Sequence, residues 1–307
     1  MNEKERPVRK IDEIADLFIS GPADRSTDDQ RCEVMVAPTS KEASADSGSN
    51  PSRPCHNPSP RLMLLNGTEI SGVGRALALS LAIAKSSGRS LLLNVGPGVE
   101  NTRYLSGLRS LCEPDRMHDD QIPRGICIAD AAVEVLSVKS IWSLQTPPYC
   151  DWFSSSVASA QNVLIDVETT SCEEVVRLAR FSDRILAFSS PSAEDMLRVY
   201  RLIKLAFMAE SRLEAELVVT NAEADLAKAV YGELGEIVGT FLQQPLGFAG
   251  ELPLDVDLTD LTTALSSGRE PQEDWYAPFC SLAEKVTAPL GTHCVRRQRL
   301  SPADLWR

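Results

Sequence analysis

The chain has 307 residues, 43% of them hydrophobic, enough for one α/β core of ordinary size with material left over for tails. Lys and Arg total 31 against 43 Asp and Glu, a net charge of -12, so the surface as a whole repels phosphate backbones and nucleic acid is not an expected partner. The charged opening MNEKERPVRK lacks the apolar core of a signal peptide, and the longest apolar run, Leu77 to Ala84, is far too short to span a bilayer; the expectation is a cytoplasmic protein.

Apolar residues at Ile11, Ile14, Ala15, Leu17 and Phe18 follow helical spacing and stop at Gly21-Pro22, which predicts a short amphipathic helix. The stretch 23–60 is rich in Ser, Asp, Pro and Asn and too poor in large apolar residues to fold, so it reads as a disordered linker. A segment of residues 1–22 thereby stands apart from a main domain over 61–290, which a basic tail at 291–307 follows. Such a tethered amphipathic segment suits docking on a protein partner, with packing on its own domain as the alternative reading.

The main domain opens with Leu62 to Leu65, a strand that stops at Asn66-Gly67. Ser71-Gly72-Val73-Gly74 follows, then an apolar helix from Arg75 to Ser87 ended by Gly88 as C-cap, then a strand over Ser90 to Val95. Further on, Asn162 to Asp166, Arg184 to Phe188, Glu216 to Thr220 and Gly247 to Gly250 read as strands. Helices over Cys172 to Phe181, Ser192 to Ser211 and up to Leu234 separate them. Ser192 with Asp195 three residues later marks a helix start. Strands alternating with helices in this way predict an α/β fold with a doubly wound, mostly parallel sheet covered on both faces. A helix near Phe279 to Val286 and a short terminal helix from Ser301-Pro302 complete the expected elements.

Metal and hydrolytic chemistry have little material. The eight cysteines form no Cys-x-x-Cys pair, and only three histidines, His56, His118 and His293, are present. The glycine loop is the one segment whose shape suggests a ligand. A working phosphate loop needs backbone amides turned to phosphate, a lysine on the outer phosphates and a Ser or Thr hydroxyl on Mg²⁺. Here Arg75 stands where the lysine should, and Ala76 where the hydroxyl should. Arg75 keeps the charge but presents a planar fork; it reads equally as a phosphate ligand or as a solvated residue of the helix start. Asp166 reads as an organiser of metal-bound water or as a strand-end carboxylate capping a turn, and Glu168 as a surface residue.

The order ISGVGRA, ALALSLAIAK, LLLNVGPG, NVLIDVETT, RILAFSSPSAEDMLRVYRLIKL and ELVVTNAE resembles the MinD/ParA family of P-loop ATPases, and within it the FlhG (YlxH) branch associated with flagellar number and placement. The likeness covers about two-thirds of the chain and rests on order and spacing. It implies that the family's signature lysine falls on Ile70, its P-loop lysine on Arg75 and its Mg²⁺ threonine on Ala76. Its first acidic pair falls on Asn94 and Gly96, and its adenine-contacting asparagine on Asn221. Each departure removes a part on which phosphoryl transfer relies. The resemblance therefore implies a degenerate P-loop protein that serves as a non-catalytic regulator or scaffold in the spatial organisation of a cellular machine. A weakly hydrolysing, ATP-binding dimerisation switch is the alternative. The implied ligand positions are Gly72, Val73, Gly74, Arg75, Ala76 and Asn221, for ATP or ADP at most and without a well-formed Mg²⁺ site. Asp166 is a vestige, no metal ligand is expected, and partners would be proteins reading residues 11–18 or the loop edge of the sheet, or a second copy of the chain. The basic tail, with Leu300, Leu305 and Trp306, makes too weak an anchor for membrane binding to be expected.

Overall fold

The computed structural model describes residues 60–67, 73–96, 126–128, 133–138, 140–145, 149–168, 171–252, 261, 273–288, 302 and 305. The expectations for the N-terminal segment, nearly all of the linker, Ile70 to Gly72 and most of the basic tail lie outside these residues. The described residues belong to one compact unit.

Eight strands form one sheet in the order β3-β4-β2-β5-β1-β6-β7-β8. Strand β1 (Arg61–Asn66) leads to α1 (Val73–Ser87) and β2 (Ser90–Val95). Strands β3 (Ile126–Ile128) and β4 (Val133–Val138) follow, then a 3-10 turn (Ile141–Gln145), α2 (Tyr149–Ser159) and β5 (Asn162–Val167). The second half alternates strictly: α3 (Cys172–Phe181), β6 (Arg184–Ser189), α4 (Ala193–Ala209), β7 (Glu214–Thr220), α5 (Ala224–Leu242), β8 (Leu246–Leu252) and α6 (Glu273–Thr287). All neighbouring pairs are parallel except β3 with β4, which are antiparallel, so the mostly parallel, doubly wound sheet is as expected.

The pleat sorts the core. Leu62, Leu64, Leu92, Leu164, Leu186 and Phe188 face α1 and α6 and join their apolar residues in one cluster. The alternate residues, such as Met63, Leu65, Ile165 and Ile185, are equally buried and face the other layer, which contains α3 and α4. Strands buried on both faces read as continuous apolar runs, which is why β1, β2, β5 and β6 were legible.

Local signals behave as their chemistry requires. Gly88 takes φ +90° after α1, and its N–H donates to the Ala84 carbonyl at 3.1 Å. Ser192 caps α4 by accepting the Asp195 N–H at 3.1 Å. Two boundaries are corrected. Helix α5 does not stop at Leu234 but runs to Leu242, because Ile237 and Val238 bury against the core and override Gly235 and Gly239. Helix α6 begins at Glu273 and contains Pro278, six residues before the expected start.

The α5 glycines are an opportunity for stabilisation. A Cβ at Gly232 or Gly239 would meet nothing within 4 Å. Gly232→Ala and Gly239→Ala are each expected to raise stability by about 0.5–1 kcal/mol, read as a higher thermal midpoint. No described helix is long and apolar enough to cross a membrane.

Candidate functional site

The strand order puts the C-terminal ends of β2, β5 and β1 side by side, and the site is built there. Asp166 on β5 is in register with Asn94 on β2 and Leu64 on β1, so the pleat turns Asn66, Asn94 and Asp166 to the face covered by α1. Asn66 Nδ2 donates to Asp166 Oδ1 at 2.7 Å, and Asn94 Nδ2 donates to Oδ2 at 3.3 Å. Both carboxylate oxygens thus face amide donors in a place fully closed to solvent.

Arg75 lies in the first turn of α1 and is buried, with 3% of its surface exposed. Its guanidinium carbon stands 5.6 Å from the centre of the Phe188 ring, a cation–π contact from below the site. The solvated reading of Arg75 is therefore corrected: a buried aromatic and a buried carboxylate draw the guanidinium inward. Ala76, next along, is also buried and offers no hydroxyl.

Burial first, and then the neighbouring Glu168 charge, raise the Asp166 carboxyl from 3.8 to about 7. The Asn66 hydrogen bond and the Arg75 charge oppose this but do not cancel it. Glu168 is half-buried instead of lying on the surface, and its N–H donates to the Val95 carbonyl at 2.8 Å. Gly96 sits against it: a Cβ there would come within 2.6 Å of Glu168 Cβ, so no acidic side chain could take that position without displacing Glu168. Among the described residues, Asp166 meets side-chain amides and caps no backbone turn.

Gly67 closes the β1 end. Its N–H donates to the Phe188 carbonyl at 2.8 Å, and an added Cβ would lie 2.6 Å from Val199 Cγ2 and 2.7 Å from the Asp195 carbonyl oxygen. Only glycine allows α4 to approach β1 this closely.

Not every residue expected at the site is brought to it. Gly74, Arg75 and Ala76 open α1 beside Asp166; Val73 is the first residue of that helix, and Gly72 lies outside the described residues. Asn221 stands at the end of β7, three strands from β5 and so roughly 14 Å away across the sheet. It is exposed, adopts φ 55°, and its N–H donates to the Leu252 carbonyl at 2.8 Å. Sequence reasoning missed Asn66 as a site residue. The available signal was its place two residues beyond Leu64, on the same face at a strand end. Among the described residues no group of three or more His, Cys, Asp or Glu could hold a metal ion, and Cys150, Cys172 and Cys280 form no disulfide.

No protein-family model matches the chain. No curated protein matches it in sequence. Solved structures do. The MinC:MinD cell division protein complex of Aquifex aeolicus matches with 17% identity and a TM-score of 0.52, covering 76% of this chain and 98% of the matched one. The MinD cell division protein of the same organism matches at 15% identity over 76% of this chain and 98% of its own, with a TM-score of 0.49. A ParA family ATPase from Chlorobium tepidum matches at 15% identity over 74% and 99%, with a TM-score of 0.47. At these identities the likeness is one of fold: the chain shares the fold of MinD.

Proposed function

We propose that the chain is a non-catalytic protein of the MinD/ParA type, FlhG-like in its sequence layout, that works as a regulator or scaffold in placing a cellular machine. The observation that carries this reading is the Asp166 carboxylate, enclosed on both oxygens by the amides of Asn66 and Asn94. A carboxylate that orders a metal's water shell must reach solvent-accessible space and keep its charge. This one is sealed and half-neutral near pH 7. Ala76 adds no oxygen, and Arg75 is committed inward against Phe188. The residues present do not fit a Mg²⁺-bound triphosphate.

The alternative, an ATP-driven dimerisation switch, needs Arg75 to leave Phe188 and Asp166 to be unmasked. ATP turnover by the full chain with Mg²⁺ separates the two. Turnover no faster than a protein-free control is expected, and Mg²⁺-dependent turnover would return the chain to the switch reading.

A protein partner fits this role, and the matched MinD structure is itself a complex with MinC. We place the contact on residues 11–18 or on the loop edge of the sheet, with residues 23–60 as a tether. Removing residues 1–22 is expected to leave the unfolding midpoint unchanged while weakening partner binding. An unchanged affinity would move the contact to the sheet edge.

A further inference from the structure

The residues that point away from the sheet on α4 and α5 make two matching rows. On α4 they are Glu194, Arg198, Arg201, Leu205 and Met208, and on α5 they are Asp225, Ala229, Gly232, Glu236 and Gly239. Each row advances by alternate steps of four and three residues, so it follows one helix face. All of these residues are exposed or half-buried, and Met208 leaves 66% of its surface in water.

The two helices are neighbours in one layer and start at the same level, because the strands that lead into them, β6 and β7, are in register at Ser189 and Val219. Counted from Ala193 and Ala224, the members of the rows fall at matching heights: Arg201 with Gly232, Leu205 with Glu236 and Met208 with Gly239.

Bulk and charge are complementary between the rows, not within them. The α4 row carries the large side chains and two guanidinium groups, and the α5 row carries small residues and two carboxylates. A Cβ at Gly232 or Gly239 would meet nothing within 4 Å, so the space above both is open. Arg198 meets Glu194 at 3.8 Å. Arg201 and Glu236 form no ion pair among the described residues. The partner that fits this face must set small residues and carboxylates against Met208 and Arg201, and arginine and bulk against Gly232 and Gly239. The chain itself has that chemistry in that spacing.

We propose that the α4–α5 face binds the same face of a second copy of the chain. A two-fold axis parallel to the helices lays α4 of each protomer on α5 of the other. Met208 then covers Gly239, and Arg201 rests on Gly232 within reach of Glu236. Helices about 25 Å long and about 10 Å wide give a footprint of roughly 500 Å² on each copy, the size of a weak, reversible dimer. The face lies in the layer away from α1, so the contact does not depend on how the Asp166 network is read.

The test is sedimentation velocity of the full chain, without nucleotide, from micromolar to millimolar concentration. A monomer–dimer equilibrium is expected, and added salt should weaken it because the charges are exposed. Arg201→Glu should weaken association by about tenfold or more, and adding Glu236→Arg to it should restore the dimer. Gly239→Gln should abolish association without lowering the unfolding midpoint, since glutamine suits the helix and fills only space outside the monomer. The proposal is overturned if the chain stays monomeric at millimolar concentration, or if Arg201→Glu and Gly239→Gln dimerise as the wild type does. It is also overturned if the charge exchange restores nothing, or if a dimer forms only when ATP and Mg²⁺ are added.

Discussion

Asp166→Asn is expected to leave stability nearly unchanged at pH 4 and to raise it by up to roughly 4 kcal/mol at pH 8. The sign follows from burial, which lifts the folded-state carboxyl from 3.8 to about 7. Between those values the folded chain keeps a proton that the unfolded chain releases, so the wild-type protein loses stability as pH rises through this window. Below it both states are protonated, and asparagine is a close isostere of the neutral acid. Asn94 can turn its amide to accept from the new side chain, so the hydrogen-bond count survives. Chemical denaturation at pH 5, 6, 7 and 8 is the measurement. The wild-type stability should fall across the series, and the variant should show a flatter profile. A parallel decline in both proteins would show that Asp166 is not the titrating group.

Phe188→Ala should cost about 3–5 kcal/mol and move the denaturation midpoint without changing its slope. Phe188 is among the largest fully buried side chains and lies in the cluster that joins the sheet to α1 and α6. Truncation leaves a cavity beneath the site and takes the aromatic surface from Arg75. Phe188→Leu, which keeps most of the volume, should cost about 1–2 kcal/mol. A similar loss for both variants would mean that the ring's contact with Arg75, not its volume, dominates.

The two predictions share a cause. The C-terminal ends of β1, β2 and β5 and the first turn of α1 are here part of the core. Asn66 and Asn94 supply neutral donors, Arg75 supplies charge, and Phe188 supplies the floor. A buried carboxylate surrounded in this way specifies one packing of α1 on the sheet, at the cost of stability lost as pH rises from 3.8 to about 7.

Much of the frame was legible in the sequence because parallel strands buried on two faces leave long apolar runs. The limits of β2 and α3 agree with expectation to the residue, and Ser192 caps α4 as its spacing requires. The region between Val95 and Asn162 was not legible. Strand β4, VEVLSV, carries a charged residue, Glu134, that is buried only because Arg89 and Ser156 meet it at 2.9 Å each. Helix α2 includes the serine run of YCDWFSSSVAS and has weak helical propensity; packing such as that of its Phe153 against Phe181 holds it in place. At the site, the identities of Arg75, Ala76, Asn94 and Gly96 were readable one position at a time. Their assembly was not, because the partnership of Asn66 with Asp166 joins residues a hundred positions apart, and only strand order brings them together.

Equilibrium titration of the full chain with ATP, with and without Mg²⁺, tests the central claim most directly. A site filled by its own side chains predicts no saturable binding in the micromolar range and no gain on adding Mg²⁺. Micromolar binding that requires Mg²⁺ would contradict the account, because it would show that Asp166 and the first turn of α1 still open to a metal-bound triphosphate.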